Sequence, residues 1–230
     1  RDGGFAEYLA VPSRLVHKIP EKISYEEAAL VEPTAVAVHA TVTRARIEPG
    51  DFVAVLGPGP IGLLAAQIAR SLGAGEVLVT GPGTSKGRLE IAKELGFKTV
   101  NIDVKNPVEV VKGMTDNTGA DVIFECSGST KAMLQAYEMV RKNGQIVMIG
   151  IFSEPGEISY TPLVRKEVRI KGSFCHTWQN YETAIKLIQK DLVKIRPLIT
   201  HQFSLDEAKE AFEVILAKAG TKLCKVQLRP

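Results

Sequence analysis

The segment Gly57-Pro58-Gly59-Pro60-Ile61-Gly62 decides the fold of this 230-residue chain. It has the spacing G-x-G-x-x-G and directly follows the apolar run Phe52–Leu56. Apolar residues spaced three and four apart come next, at residues 61–72, and a second apolar run lies at residues 76–80. A strand, a glycine turn, a helix and a strand within about thirty residues are the setting in which this spacing indicates dinucleotide binding.

Each glycine of this segment has its own role in that interpretation. Gly57 permits a tight turn, Gly59 lets a pyrophosphate approach the backbone, and Gly62 lets the helix pack against the strand. Pro60 suits a first helical turn, where its missing N–H is not needed. With Ile61 it begins a helix whose free N–H groups attract phosphate. The alternative, a glycine turn that only joins a strand to a helix, stays open.

The alternation of strands and helices continues through the middle of the chain. Further apolar runs predict strands at residues 99–102, 121–126, 145–150 and 168–172. This order predicts an α/β fold with a doubly wound, parallel, six-stranded Rossmann sheet, which binds ligands at the carboxyl ends of its strands. The glycine segment, Ser127-Gly128 and Gly150 all fall at such ends, so the sequence predicts one cleft there.

The two ends of the chain follow a different pattern. Ser24 and Ser204 each open an S-x-x-E sequence, which is typical of a helix start. Helices are predicted at residues 24–30, 35–46, 180–190 and 204–218. Strands are predicted at residues 5–11, 15–20 and 225–228. These terminal strands do not fit the parallel sheet and are expected to meet in a second, smaller β-rich unit.

Composition excludes several classes of protein. Charged residues make up 24% of the chain, the net charge is +3 and the basic residues are scattered, so nucleic acid is not expected as the main partner. No apolar run reaches membrane-spanning length, so no membrane partner is expected. Cys126, Cys175 and Cys224 lie far apart without a disulfide framework, which favours a cytoplasmic location.

Together these segments resemble the medium-chain dehydrogenase/reductase family, and within it the zinc-dependent polyol, threonine and glucose dehydrogenases. The matching stretches occur in the family's order, at residues 2–8, 31–40, 57–62, 125–128, 172–174 and 203–212. The resemblance implies a Rossmann cofactor domain plus the remnant of a β-rich, GroES-like catalytic domain. It divides the chain into a trailing part of the catalytic domain (1–34), the NAD(P)-binding domain (35–172) and a return to the catalytic domain (173–230).

The resemblance also bears on metal binding. Family members carry a further stretch before the position of Arg1, with a cysteine and a His-Glu pair that bind the catalytic zinc, so we expect this chain to be a piece of a longer protein. By itself it is not expected to assemble that zinc site. Glu32 matches a position that contacts the zinc or its bound water in the family, and it is the candidate metal ligand. The alternative for Glu32 is an ordinary glutamate at a helix end.

The histidines give no further support for a metal site. His39 is expected to be a helix residue rather than a ligand. His17, His176 and His201 have no spacing typical of metal ligands.

The choice of cofactor depends on the end of the second strand. NAD sites usually have an acidic residue there, but this strand ends at Gly81. The hydroxyls and cations that follow suit a 2′-phosphate, with Lys86 and Arg88 as candidate ligands and Arg88 preferred for its planar fork. The pattern favours NADP and leaves NAD open, because some relatives with glycine here use NAD. The alternative for Lys86 and Arg88 is that they are solvated charges in a loop and at a helix start.

The chemistry that the resemblance implies is reversible hydride transfer between a secondary alcohol and a nicotinamide ring, with zinc polarising the alcohol oxygen. The nicotinamide is expected against Ser127, Gly128, Gly150 and Ile151. Phe174, His176 and Trp178 are candidate substrate contacts, with ordinary packing as their alternative. The partner is then a small alcohol or ketone.

Three alternative functions stay open at this stage. A zinc-free enone or quinone reductase of the same superfamily is one, and a dinucleotide-binding module without catalysis is another. A methyltransferase, which also has a glycine loop after its first strand, is the third, and the matching segments near the end of the chain disfavour it. The resemblance also implies a homodimer or homotetramer that assembles through the edge of the Rossmann sheet.

Overall fold

The computed structural model describes residues 3–217 and 222–230. The α-helices are α1 Tyr25–Ala28, α2 Val31–Val38, α3 Pro60–Ser71, α4 Lys86–Glu94, α5 Pro107–Met114, α6 Thr130–Met139, α7 Thr161–Lys166, α8 Trp178–Gln189 and α9 Ala208–Ala217. The strands are β1 Phe52–Leu56, β2 Glu76–Gly81, β3 Lys98–Asn101, β4 Ala120–Glu125, β5 Val140–Met148, β6 Arg169–Gly172, β7 Ile199–Ser204 and β8 Lys225–Arg229. Single 3₁₀ turns lie at Ser13–Leu15, Gly83–Ser85 and Arg196–Leu198.

Six strands form one parallel sheet in the order β3-β2-β1-β4-β5-β6. The predicted doubly wound α/β sheet is therefore confirmed. The chain leaves β1 towards β2 and returns to β4 on the other side, so strand order reverses between β1 and β4. Ligands of this architecture bind at the carboxyl ends of the strands on either side of that reversal.

Strand β1 shows how the core is built. All five of its residues are buried. Val53 and Val55 point into one apolar cluster, whereas Ala54 and Leu56 point into the other. Helices α2, α3, α4 and α8 cover the first face, and α5 and α6 cover the second. A strand that is apolar on both sides is what a sheet covered on both faces requires.

The residues of α8 share a core with α2 and α3. Ala184, Ile185 and Ile188 are buried in the cluster that also holds Val38 of α2 and Leu64 of α3. The sequence division at residues 34 and 172 stays a prediction. Within residues 3–217 and 222–230, no helix is long and apolar enough to cross a membrane.

Helix α2 starts earlier than predicted and ends differently. It begins at Val31 rather than Ala35, because Pro33 lies in the first turn, where the missing N–H breaks no helical bond. The segment after it, His39–Arg44, is a π-helix rather than a continuation of the α-helix. Such wider turns are rare and often lie at functional sites.

The two strands predicted near the amino terminus are wrong. Residues 5–11 have no regular structure. In the second segment, Leu15 ends the 3₁₀ turn, and residues 16–20 follow it without pairing. Phe5 and Tyr8 are exposed. An extended segment becomes a strand only when a neighbour accepts its backbone hydrogen bonds, and no described strand lies beside these residues.

The smaller sheet is formed at the other end of the chain. The last strand, β8, was predicted, but its partner is β7, and the two run parallel. Neither strand β7 nor helix α7 was predicted from the sequence.

The two predicted helix starts are partly confirmed. Ser24 makes both bonds of a capping box: its N–H donates to Glu27 Oε2 (3.0 Å), and its Oγ accepts from the Glu27 N–H (3.3 Å). At Ser204, the N–H donates to Glu207 Oε2 (2.7 Å), but α9 begins only at Ala208. The predicted end of that helix, Lys218, lies outside the described residues.

Candidate dinucleotide and substrate sites

The loop between β1 and α3 has no room for side chains at two of its glycines. Gly57 has φ +111°, and a Cβ atom there would lie 3.1 Å from the Ser127 nitrogen. A Cβ atom on Gly62 would overlap the Gly57 carbonyl oxygen. The loop, the start of α3 and the end of β4 therefore pack backbone to backbone, which only glycine permits.

The middle glycine is different. Gly59 is the N-cap of α3, and nothing lies within 4 Å of the position its Cβ would occupy. The first N–H to bond within the helix is that of Leu63, which donates to the Gly59 carbonyl. The N–H groups of Ile61 and Gly62 precede it, and Pro60 has none. Open space above free N–H groups at a helix start fits the pyrophosphate of a dinucleotide.

A buried carboxylate organises the neighbouring loop, and the sequence interpretation did not assign it. Glu125 ends β4 and is fully buried. It accepts hydrogen bonds from the Ser127 N–H (2.8 Å), from the Ser127 hydroxyl and from the Gly128 N–H (3.1 Å to Oε2). Its own carbonyl accepts from Ile149 and Gly150 N–H. The carboxylate of Glu125 thus fixes the loop after β4, and the backbone carbonyl of Glu125 fixes the loop after β5.

The loops after β4 and β5 meet directly. Gly128 has φ +67°, and a Cβ on it would press on the Ile151 backbone. A Cβ on Gly150 would lie 2.5 Å from Glu125 Oε2. The structure therefore brings together the loops at Gly57, Gly128 and Gly150, which we call the glycine edge: residues 57–62, 127–128 and 150–151.

The loop after β2 explains the missing acidic residue. A Cβ on Gly81 would lie 2.6 Å from Cδ of Pro58, so the proline of the glycine segment excludes any side chain there. A carboxylate is nonetheless close, since the Gly83 N–H donates to Asp103 Oδ2 at 2.7 Å. Lys86 is exposed. Arg88 donates from Nε to the Leu223 carbonyl (2.6 Å), so this donor of its fork is used within the protein.

A second group of candidate residues gathers where α2 and α8 begin. Glu32 lies in the first turn of α2, and its Oε1 is 3.6 Å from His176 Nε2. Trp178 begins α8, and Phe174 is exposed. The structure therefore brings Glu32 and His176 together. This pairing joins residues far apart in the sequence, and their spacing gave no sign of it.

His17 lies between two aromatic rings of α8. Its ring stacks on Trp178 (centroids 3.6 Å apart) and on Tyr181 (4.1 Å), and its Nδ1 is 2.5 Å from Glu182 Oε1. Burial and the nearby Glu32 raise the pKa of the Tyr181 hydroxyl, which stays protonated at neutral pH.

These side chains border an open pocket of about 530 Å³, the aromatic pocket. It is lined by Leu15, Val16, His17, Ile19, Ala28, His176, Thr177, Trp178 and Tyr181.

The described residues do not complete a zinc site by themselves. Zinc takes at least three protein ligands, and no group of three His, Cys, Asp or Glu side chains with suitable geometry occurs within residues 3–217 and 222–230. Glu32 and His176 supply at most two. His39 contacts Asn180, and His201 contacts Thr200.

Comparisons with known proteins agree with this geometry. The model of a family described as zinc-binding dehydrogenase matches residues 60–190. A sorbitol dehydrogenase of Halalkalibacterium halodurans is 37% identical over the whole chain. Among solved structures, a putative zinc-binding dehydrogenase from Sinorhizobium meliloti 1021, bound to NADP, is 33% identical with a TM-score of 0.89 over all of the chain and 67% of its own length.

A second solved structure carries the other cofactor. It is described as a short chain alcohol dehydrogenase from Escherichia coli CFT073 complexed with NADH, and it is 28% identical with a TM-score of 0.89. It is covered over 66% of its length, and this chain over 100%. The chain spans 66% of the length of the sorbitol dehydrogenase. The predicted resemblance to zinc-dependent dehydrogenases is confirmed.

Proposed function

We propose a function for this chain from the family to which it belongs, the zinc-binding dehydrogenases. The chain is the cofactor-binding part of an NAD(P)-dependent dehydrogenase. The reaction is hydride transfer between a secondary alcohol of the polyol or sugar type and a nicotinamide cofactor. One observation carries the proposal: Gly59 leaves open space at the start of α3, beside the other two loops of the glycine edge. The similarity to the sorbitol dehydrogenase of Halalkalibacterium halodurans supports the substrate class.

Binding of the cofactor is assigned to backbone groups. Ile61 and Gly62 offer N–H groups to the pyrophosphate, and Gly59 keeps the approach clear. When bound, the nicotinamide ring supplies the site that accepts or gives the hydride. The backbone of Ser127-Gly128 and of Gly150-Ile151 would hold that ring. Glu125 is a positioning residue, because it holds the first of these loops with three hydrogen bonds.

The substrate side is assigned to the surface around Glu32, His176 and Trp178. The His176 imidazole can donate to or accept from an alcohol hydroxyl, and the Glu32 carboxylate can accept from one. The part of the Trp178 indole that His17 leaves exposed offers an apolar contact for the carbon chain. Phe174, which is exposed two residues before His176, is proposed as a further contact.

The cofactor preference is proposed to be NADP, with NAD as the alternative. Pro58 excludes an acidic side chain at Gly81, which removes the usual partner of the ribose hydroxyls. Lys86 is exposed and supplies positive charge for a 2′-phosphate. Asp103 lies close to Gly83 and opposes this charge. Arg88 is the weaker candidate of the two cations, because its Nε bonds the Leu223 carbonyl.

The natural protein is proposed to assemble through the free edge of its Rossmann sheet. Strand β6 is the last in the sheet, and most of its residues are exposed. Pairing of two β6 strands would satisfy their free backbone groups. Sedimentation of the natural protein as a dimer or tetramer, and as smaller species after Ile170→Pro, is the expected result.

The activity is tested by following reduced nicotinamide while the natural protein is mixed with NADP⁺ or NAD⁺ and a panel of polyols. We expect oxidation of at least one secondary alcohol, and loss of activity when Gly59 is replaced by valine. A protein that binds the cofactor but oxidises no alcohol and reduces no ketone would contradict the catalytic part of the proposal.

The preference for NADP is tested by calorimetric titration with NADPH and NADH. Lys86→Ala should weaken NADPH binding about fivefold or more and leave NADH binding unchanged, since only the former carries the 2′-phosphate. Arg88→Ala should affect both cofactors alike. Equal or tighter binding of NADH by the unaltered protein would overturn the NADP assignment.

A further inference from the structure

Asn180 connects three parts of the chain through one buried side chain. It is 6% exposed and lies in the first turn of α8. Its Oδ1 accepts from the Thr177 N–H (3.0 Å) and the Thr177 hydroxyl (2.9 Å), and lies 3.0 Å from His39 Nδ1. Its Nδ2 donates to Thr43 Oγ1 at 3.1 Å. Every polar atom of this amide is therefore used.

These contacts fix the orientation of the amide. A backbone N–H can only donate, so the atom facing the Thr177 N–H must be the amide oxygen. The same oxygen faces His39 Nδ1, so that nitrogen must carry a proton. In the neutral form of His39 the other nitrogen, Nε2, then has no proton and can accept a hydrogen bond. Asn180 thus selects one tautomer of His39.

Two partners of Asn180 belong to the π-helical segment that follows α2. His39 and Thr43 both lie in His39–Arg44, and both contact the same side chain of α8. They are four residues apart, a spacing that brings side chains to one side of a helix. The irregular segment that follows α2 therefore has a specific use in holding the start of α8.

The same contacts hold the candidate substrate surface. Glu32 and His39 are seven residues apart, which places them on one face of the helix. His176 and Asn180 stand opposite them: His176 is 3.6 Å from Glu32, and Asn180 is 3.0 Å from His39. Thr177 donates two hydrogen bonds to Asn180 and lies between His176 and Trp178 in the chain.

We propose that Asn180 is a positioning residue for substrate. By joining Thr177 to His39 and Thr43, it holds His176 opposite Glu32 and sets the position of Trp178. This inference rests on the proposed function for its effect on substrate, but its structural part stands independently. Asn180 does not contact the glycine edge. Its removal should therefore raise the KM for the alcohol and leave the affinity for the cofactor unchanged.

The test compares Asn180→Leu with Asn180→Asp and with Gln179→Leu. Leucine has a similar volume but no polar atoms, whereas aspartate keeps the oxygen that faces Thr177 and His39. Gln179→Leu makes the same amide-to-leucine change one residue away, at an exposed position. The readouts are KM and kcat for the alcohol, the Kd of NADPH, the ¹⁵N NMR signals of His39 and the emission of Trp178, the single tryptophan of this sequence.

We expect Asn180→Leu to raise KM about tenfold or more, as an unpaired buried donor and acceptor imply. Its kcat should fall less than KM rises, and the Kd of NADPH should stay within about twofold. The His39 signal should lose the pure Nδ1–H form, and the emission of Trp178 should shift. Asn180→Asp should restore KM to within about threefold, and Gln179→Leu should change none of these quantities. If Asn180→Leu does not fold, Asn180→Ser is expected to give the same pattern.

Two results would overturn the inference. One is an unchanged His39 tautomer in the leucine or serine variant. The other is a KM that rises no more than in Gln179→Leu, or a Kd of NADPH that rises as much as KM. If the unaltered protein binds no cofactor, the proposed function fails instead, and the tautomer and the Trp178 emission still decide whether Asn180 holds this segment.

Discussion

The glycine edge and the aromatic pocket are built in opposite ways. At the glycine edge the chain removes side chains: Gly57, Gly62 and Gly150 each sit where a Cβ would strike backbone or a buried carboxylate. At the aromatic pocket the chain stacks large side chains, and His17 lies between Trp178 and Tyr181. The first site exposes backbone N–H groups, whereas the second exposes rings and imidazoles.

This difference decides how each site can tolerate change. A site made of backbone depends on the few residues that hold the backbone in place, so its weak point is the buried Glu125. A site made of side chains depends on pairs of residues from distant parts of the sequence, and each pair contributes a part of the total. A substitution that removes the support of the glycine edge should therefore have a larger effect than one that removes a single side chain of the aromatic pocket.

The largest effect is expected for Glu125→Ala. The change leaves the N–H groups of Ser127 and Gly128 without their acceptor, and it empties a fully buried site. Hydrogen bonds to a charged group contribute about 1.5–3 kcal/mol each, and two backbone bonds are lost, so we expect a loss of about 3–5 kcal/mol in the free energy of unfolding. Urea denaturation measures it, and cofactor affinity should fall in parallel.

Glu90→Ala is the control for that change. Glu90 is exposed on α4, and its replacement should alter the free energy of unfolding by no more than about 0.5 kcal/mol. If Glu125→Ala behaves like Glu90→Ala, the loop after β4 does not depend on the buried carboxylate, and the contrast between the two sites disappears.

The sequence predicted the glycine edge better than the aromatic pocket, for a physical reason. A glycine that must lack a side chain leaves its mark at one position, and Gly57, Gly59 and Gly62 do so at fixed spacing between a strand and a helix. His17 and Trp178 come into contact only after the chain has folded, and no local sequence pattern around either residue predicts that contact. Glu125 was visible in the sequence as the end of a strand, but its role depends on loops that fold back onto it.

The errors at the amino terminus have a related cause. The short run of apolar and aromatic residues at positions 5–11 is typical of a strand. A strand also needs a neighbour to pair with, and a local pattern does not contain one. The partner of β8 was missed because β7 includes Thr200, His201 and Gln202, which weaken its apolar signal.

A smaller effect is expected for His17→Ala. The change removes two stacking contacts, each worth about 0.5–1.5 kcal/mol, and a partly exposed pair with Glu182. We expect a loss of about 2 kcal/mol in the free energy of unfolding and a change in the emission of Trp178. His201→Ala, which removes no stacked ring, should leave that emission as it was. An unchanged emission in His17→Ala would show that the rings are not stacked in solution.

The smallest effect is a difference in thiol reactivity that leaves stability unchanged. Cys175 is exposed, next to the candidate substrate surface, whereas Cys126 lies beside the glycine edge. Burial raises the pKa of the Cys126 thiol, with a further contribution from Glu125, and burial raises the pKa of Cys224 to about 11.

Because the thiolate is the reactive form, a raised pKa slows reaction at neutral pH. A disulfide reagent at pH 7.5 should therefore modify one thiol quickly, and Cys175→Ser should abolish that fast phase. Cys224 should react only as the pH approaches 11 or the protein unfolds, and Cys126 should also stay unreactive at pH 7.5 in the folded protein. A fast phase that persists in Cys175→Ser would contradict this assignment.

Calorimetric titration of Gly59→Ala with NADPH and NADH tests the central claim, that the glycine edge is a dinucleotide site built from backbone. No atom lies within 4 Å of the added methyl group at Gly59 or at Gly113, where Gly113→Ala is the matched control. We predict that both variants remain folded, that Gly113→Ala binds like the unaltered protein, and that Gly59→Ala binds about tenfold more weakly or worse. Equal affinity in all three proteins would contradict the claim, because the open space above Gly59 would then not be where the cofactor lies.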